Sequence, residues 1–365
     1  MNTRAKKTHG FFLLRKWRQA LLALASATAA LVVAFFFGPQ LLLRYKGMPV
    51  FNFDLDHRPQ PQPGLLNEDG VQPDLPPTAY QAGDVNIIVL GDSFAYGWKV
   101  KQASAFPFLA GRILQSQFPQ RIIRVADFGW VSSSPVLQLR QLREIGGKYK
   151  PALVIQALDM TDFSDDIRYT RQLRDPILRV YRRFSFFKAW FNRLADNDAF
   201  RNWLNRLITQ PPLPKDMNDC GESHSRYYAL EQPLAQSEPC LQVTWNAIQA
   251  AAQWAADAGA RYALFILPRF QQYHPTECPH DAWESREFPS SRAYLFEPFA
   301  YFEAKKKSAP FPIHSLLPDF QQSNVYPTVF DDDPHYNENG HRIAGEAIAR
   351  YLLADGLIEA QRRSR

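Results

Sequence analysis

Two short stretches of this chain carry residues able to do nucleophilic chemistry. The first is Gly91-Asp92-Ser93-Phe94-Ala95-Tyr96-Gly97-Trp98, directly after the apolar run Val85–Leu90. A serine hydroxyl can attack a carbonyl carbon if a neighbouring base takes its proton. If the run is a parallel strand, Ser93 stands at its carboxyl end, where open α/β sheets bind ligands. If a helix starts there, free backbone N–H groups point at the same spot. Asp92 and Ser93 are also favoured helix caps, so the pattern by itself equally fits a turn.

The second stretch lies far downstream: Asp331-Asp332-Asp333-Pro334-His335-Tyr336-Asn337-Glu338-Asn339-Gly340-His341. His335 follows three acids and precedes a helical pattern. A carboxylate on one imidazole nitrogen fixes the tautomer and stabilises the imidazolium; the other nitrogen is left to take a serine proton. Standing alone, His335 reads as a solvated loop residue. His341 opens the following helix and reads as a cap or packing residue rather than a base. Asp159, Asp162, Asp165 and Asp166 form an acidic cluster without the spacing of a calcium loop, which reads as a solvated loop at a strand end. There is no nucleotide-type glycine loop, and the histidines lack zinc-ligand spacing. The expectation is a site with neither metal nor cofactor.

Positioning these residues requires a sheet. Val85–Leu90 suits a buried parallel strand, and similar short runs follow at 121–126, 152–158, 262–267 and, briefly, 312–316. Helical patterns at 103–117, 135–145, 241–258 and 338–353 alternate with them. Such alternation implies an α/β domain, with a parallel sheet covered on both faces, over residues 85–360. A mainly helical insertion at 164–240 interrupts it. Basic residues outnumber acidic ones in its first part, with aromatics such as Tyr169, Phe184 and Trp190 interleaved. It reads as a helical cap with a solvated basic face; the alternative is a cap resting on anionic lipid headgroups.

The chain has 365 residues, enough for one sizeable core, and a formal net charge of +6. Arg4, Lys6, Lys7, Arg15, Lys16 and Arg18 account for that whole excess. The basicity therefore belongs to segment 1–18, and a nucleic-acid partner is not expected. From Gln19 to Leu43 no charge occurs, and a membrane helix needs roughly 20 such residues. The positive-inside rule makes 1–18 cytoplasmic, 19–43 a transmembrane anchor, and the rest extracytoplasmic, periplasmic in a Gram-negative cell. The rival is a cleavable signal peptide, with small-residue sites around Ala23–Ala30, but the apolar run continues past them. Residues 44–84 are proline-rich and read as an extended tether. Of the three cysteines, Cys220 and Cys240 would pair by proximity in an oxidising compartment; the alternative leaves them and Cys278 as thiols.

Together the two reactive stretches resemble the SGNH/GDSL hydrolase family: a strand, Gly91-Asp92-Ser93 and Gly97, then Asp332 and His335 as Asp-x-x-His, followed by Asn337, Gly340 and His341. The resemblance covers roughly residues 85–354 outside the insertion. It implies a flavodoxin-like three-layer α/β/α sandwich and ester hydrolysis or acyl transfer. Ser93 would be the nucleophile, His335 the base and Asp332 the orienting acid, with Asp333 as the alternative acid. The family's second block usually offers a glycine N–H to the oxyanion; here Ser132 takes that register, with Gly129 as fallback. Its third block usually offers an asparagine; here Thr161 stands at that position. The oxyanion would be held by the N–H groups of Ser93 and Ser132 and by Thr161. With the extracytoplasmic location, the resemblance implies an acylated glycan substrate, such as an O-acetylated envelope or secreted polysaccharide. The alternatives are a lipid esterase and a catalytically silent binding or scaffold subunit of a polysaccharide assembly system.

Overall fold

The computed structural model describes residues 17–31, 33, 59–174, 225–281, 284–289 and 291–358. One compact unit comprises residues 51–174 and 212–365, and another comprises 1–50 and 175–211. In the second of these, residues 17–31 are helical, with Trp17, Leu21, Leu22, Leu24 and Leu31 exposed. Among the described residues no helix is long and apolar enough to cross a membrane. Much of the expected anchor (32 and 34–43) lies outside them. So do segments 1–16 and 44–58, the body of the insertion (175–224), and Cys220 with its expected pairing.

The larger unit is built on five parallel strands. They are β1 (Val85–Leu90), β2 (Ile123–Asp127), β3 (Leu153–Leu158), β4 (Arg261–Ile266) and β5 (Ile313–Ser315). Their order is β2-β1-β3-β4-β5, every neighbour parallel. This is the flavodoxin-like order, whose switch point lies between β1 and β3. The strands read as continuous apolar runs because both faces are covered. Alternate residues serve opposite faces. Ile87, Val89, Leu153, Ile155, Ala263 and Phe265 pack into one core with helices α2 (Phe106–Gln117) and α7 (Glu338–Ala354). Ile88, Leu90, Val154, Leu158, Leu264 and Ile266 pack into the other, with α3 (Pro135–Ile145), α5 (Leu234–Asp257) and α6 (Glu297–Lys306). Two further helices matter for the site: α1 (Ser93–Tyr96), a single turn after β1, and α4 (Asp162–Arg174), which leads into the insertion.

Three sequence expectations change. The tether was drawn to residue 84, but its described part is built into the domain. Leu66, Val71 and Tyr80 are fully buried, and Gln72 pairs its backbone with Asp127 beside β2. Burying these apolar side chains outweighs the extended tendency of the prolines between them. The acidic cluster is no solvated loop: Asp159, Asp162, Asp165 and Asp166 are all buried. Helix α5 starts at Leu234 rather than at 241 and carries Pro239 near its first turns.

His341 ties the two helices of the first core together. Helix α2 has no side-chain cap of its own, and its Phe106 N–H donates to His341 Nδ1 on α7 (3.2 Å). Burial, with some repulsion from His335, lowers His341 to about 3, so the ring is neutral. Between that value and the ordinary 6.5 the unfolded chain binds the extra proton. The stability from a neutral His341 is therefore complete above pH 6.5 and is lost as pH falls, by about 2 kcal/mol near pH 5. In His341→Asn, whose amide oxygen can still accept from Phe106, the melting-temperature deficit should narrow between about pH 7.5 and about pH 5. A deficit that stays constant or widens over that range would remove His341 as the acid-sensitive link.

Candidate active site

The end of β1 turns sharply into α1. Asp92 caps that turn, accepting from Phe94 N–H at 2.9 Å, and Gly97 closes it in the left-handed region at φ 76. A residue with a Cβ is strained there, so glycine keeps the turn tight. Ser93 is the first helical residue, and its N–H has no intrahelical acceptor.

The histidine comes from the loop closed by the Val329–Tyr336 bridge, shortly before α7. Three anchors hold this loop. Glu277 Oε2 accepts from Thr328 N, Thr328 Oγ1 and Val329 N at 2.6–3.2 Å. Tyr336 OH donates to Pro268 O at 2.6 Å, beyond the end of β4. Asn337 caps α7 and donates its amide to Pro327 O and Val329 O. Gly340 allows the approach: a Cβ there would lie 2.2 Å from Thr328 O.

These supports bring Ser93 Oγ to 2.7 Å from His335 Nε2. On the other side of the ring, His335 Nδ1 meets Asp333 Oδ1 at 2.5 Å. Ser93 is buried, and His335 and Asp333 are partly open. This serine–imidazole–carboxylate chain can move a proton from a hydroxyl to a ring nitrogen and return it to a leaving group.

Asp333, the alternative acid, therefore occupies the place expected for Asp332. The reason is local geometry. Asp333 Oδ1 also accepts the His335 backbone N–H at 3.0 Å, a side-chain turn of the kind aspartate makes two residues ahead. That turn delivers the carboxylate to the near nitrogen of the same residue. Asp332 is 71% exposed and faces Lys99 Nζ at 3.2 Å. Burial by itself would raise Asp333. Its hydrogen bonds and charge interaction with His335, with Lys99 adding, hold it well below the usual carboxylate range.

The expected oxyanion residues fare differently. Ser132 adopts φ 60, and its N–H enters no backbone hydrogen bond among the described residues. A left-handed backbone suits the glycine of the family resemblance, and here a serine bears the strain. Gly129, the fallback, spends its N–H on Asp127 Oδ1 at 2.8 Å. Thr161 is corrected outright. Its hydroxyl and its N–H both donate to Asp159 Oδ2, at 2.6 and 3.0 Å, and it is fully buried. Neither donor is left for an oxyanion.

Asp159 is in turn held by a residue that sequence reasoning missed. Arg269, 3% exposed, grips Asp159 with Nε at 2.7 Å and Nη2 at 2.6 Å, and reaches Glu284 with Nη1 at 2.5 Å. Its guanidinium lies 4.8 Å from the centre of the Phe94 ring, the residue after the serine. The same ring is 5.0 Å from His335 and 4.6 Å from Tyr336. Trp98 and Lys99 were missed too, although both stand at the end of the serine stretch. Trp98 Nε1 donates to Asp333 Oδ2 at 3.2 Å, and Lys99 Nζ reaches the same oxygen at 3.1 Å. Among the described residues no cluster of side chains has the makings of a metal site.

No protein-family model matches the chain, and no curated protein matches it. Solved structures are similar to it at low identity. A lipolytic protein of the G-D-S-L family from Desulfitobacterium hafniense is 13% identical, with 74% of this chain and 100% of that one covered at a TM-score of 0.39. An aryl esterase of M. smegmatis is 12% identical, with 74% and 99% covered at 0.42. An acetyl-xylooligosaccharide esterase from Geobacillus is 11% identical, with 74% and 95% covered at 0.40. The chemistry assigned to this chain rests on its own side chains.

The two acids differ in what they should cost. Asp333→Asn keeps the shape but loses the tautomer control, so turnover or active-site labelling should fall on the order of 10³–10⁴-fold. Asp332→Ala removes one exposed ion pair, worth about 1 kcal/mol at most, so its effect should stay within roughly fivefold. Rates measured on both variants check this, and the reverse ranking would return the role to Asp332.

Proposed function

We propose that this protein is a serine esterase, acting by hydrolysis or by acyl transfer on an ester-bearing glycan outside the cytoplasm. The observation that carries the reading is the hydrogen-bonded run Ser93 Oγ, His335 Nε2, His335 Nδ1, Asp333 Oδ1. In the first half-reaction Ser93 Oγ bonds to the ester carbonyl carbon while its proton passes to His335 Nε2. The tetrahedral intermediate collapses as the imidazolium protonates the departing alcohol, which leaves an acyl-serine. Water, or a sugar hydroxyl in the transfer variant, then gives its proton to His335 and attacks the same carbon. Ser93 recovers its hydrogen as the acyl group departs.

The oxyanion would sit on the N–H groups of Ser93 and Ser132. With Thr161 committed to Asp159, its position supplies no side-chain donor in place of the asparagine of the family resemblance. One missing donor costs about 10²–10³ in turnover, so a slow enzyme is expected. That same observation favours the second reading, a silent binding subunit of a polysaccharide assembly system. The glycan assignment leans on the location proposed for the domain, held to the membrane by residues 19–43 with the N-terminus cytoplasmic. The supports for that location are the uncharged stretch and the basic residues before it.

Full-length protein in detergent, treated with a fluorophosphonate probe, tests the chemistry. Labelling that disappears in Ser93→Ala, with acetate released from an O-acetylated polysaccharide, is the expected result. Folded protein that takes no label would make the silent-subunit reading the correct one.

A further inference from the structure

The carboxylate behind His335 has a second partner with a full positive charge. Asp333 Oδ1 serves the histidine, through Nδ1 and through the backbone N–H. Asp333 Oδ2 faces away from the ring and is gripped by Trp98 Nε1 and Lys99 Nζ. Lys99 also spans to Asp332 Oδ1 at 3.2 Å. Its backbone sits in the left-handed region at φ 64, which is costly for a lysine. Its ammonium lies 5.5 Å from the Phe330 ring centre. The lysine is thus held in place from three sides although its side chain is 37% exposed.

The consequence is electrostatic. A carboxylate shared with an ammonium stabilises an imidazolium less than a carboxylate the histidine has to itself. The ammonium also repels the proton His335 must carry. We infer that Lys99 is a positioning residue for the general base: it locks the rotamer of Asp333 and sets the pH at which His335 becomes a working base. This rests on the triad reading proposed above.

The other titratable groups around the pair leave that role to Lys99. Cys278, against the Asp333 backbone, is pushed up to about 12 by burial, and His341 is lowered to about 3. Neither changes charge between about pH 5 and about pH 9. Asp331 is turned away and pairs with His280. Asp332 stays exposed beside Lys99. Asp281 and Glu284 act on Cys278 from the 281–284 segment. Asp92 contacts Ser93 Oγ from the nucleophile's own turn, and burial raises it to about 8, so its charge changes on the alkaline side and leaves the acidic limb to His335.

The test is the titration of His335 in the full-length chain, followed by NMR of its ring carbons, in wild type, Lys99→Met and Lys99→Arg. Lys99→Met should move the His335 titration up by about half a unit to one unit, as expected on removing a partly exposed positive charge from beside Asp333. The acidic limb of the probe-labelling rate should move up by the same amount. Lys99→Arg should restore both, and about 1 M salt should shrink the difference. Unchanged titration in a Lys99→Met protein of wild-type melting temperature overturns the inference, even if Ser93 labels normally. If Lys99→Met lowers the melting temperature, Lys99→Arg decides: restored stability without restored titration also overturns it. A shifted titration with no labelling at all would leave Lys99 in its role and remove the esterase reading instead.

Discussion

Everything at this site depends on one contact between segments 242 residues apart, the bond from Ser93 Oγ to His335 Nε2. The serine side needs little help. It stands in the turn just beyond β1, a strand with a hydrogen-bonded neighbour on each side, so that turn starts from a fixed point. The histidine side is a loop, and a loop keeps its place only where its polar groups are tied down. Glu277, Pro268 O and Asn337 supply those ties, each bonding the loop at a different point. Helix α7 then continues from Asn337, and His341 locks it to the start of α2. Packing on one face of the sheet therefore sets a distance at its edge.

Behind the serine the interior is unusually charged. A buried guanidinium is costly to desolvate and is tolerated because Asp159 and Glu284 saturate it. Elsewhere in the interior, burial holds Asp92, Asp127, Asp162 and Asp166 above their ordinary values. For Asp92 this bears on the chemistry. A carboxylate one residue from the nucleophile would oppose an oxyanion forming at the Ser93 N–H. Burial, and then the Asp159 charge, raise Asp92 to about 8, which favours its neutral form.

The parts of this arrangement legible in the sequence are those set by local pattern. Strand β1 and helix α3 run as expected from apolar runs and a proline at the first helical turn, and β2 to β5 fall within two residues of expectation. The serine and histidine stood out for the same reason. The acid was misplaced by one residue because three consecutive aspartates look alike until each finds its partner. Asp331 takes His280, Asp332 takes Lys99, and Asp333 takes His335. Thr161 was misread for a longer-range reason. Arg269, which orders Asp159 and with it Thr161, lies 110 residues further along the chain from Asp159. Neither periodicity nor spacing signals such a contact.

What remains to receive an oxyanion is backbone, and backbone donors behave differently from side chains. An N–H is present at any residue but proline, so Ser132 can stand where the resemblance has glycine without losing the donor. The conformation is what costs, since φ 60 is unfavourable for serine. That conformation has to be imposed by neighbours, and the structure supplies two. Ser133 N–H donates back to Trp130 O at 3.0 Å, closing the turn from within. Tyr169 OH donates to Ser132 O at 2.5 Å, closing it from outside. Tyr169 is a buried residue of α4, the helix that opens the insertion. The strained turn carrying Ser132, the proposed second oxyanion donor, is thus pinned by the segment that breaks the regular α/β alternation, so the insertion's first helix is structurally tied to the site.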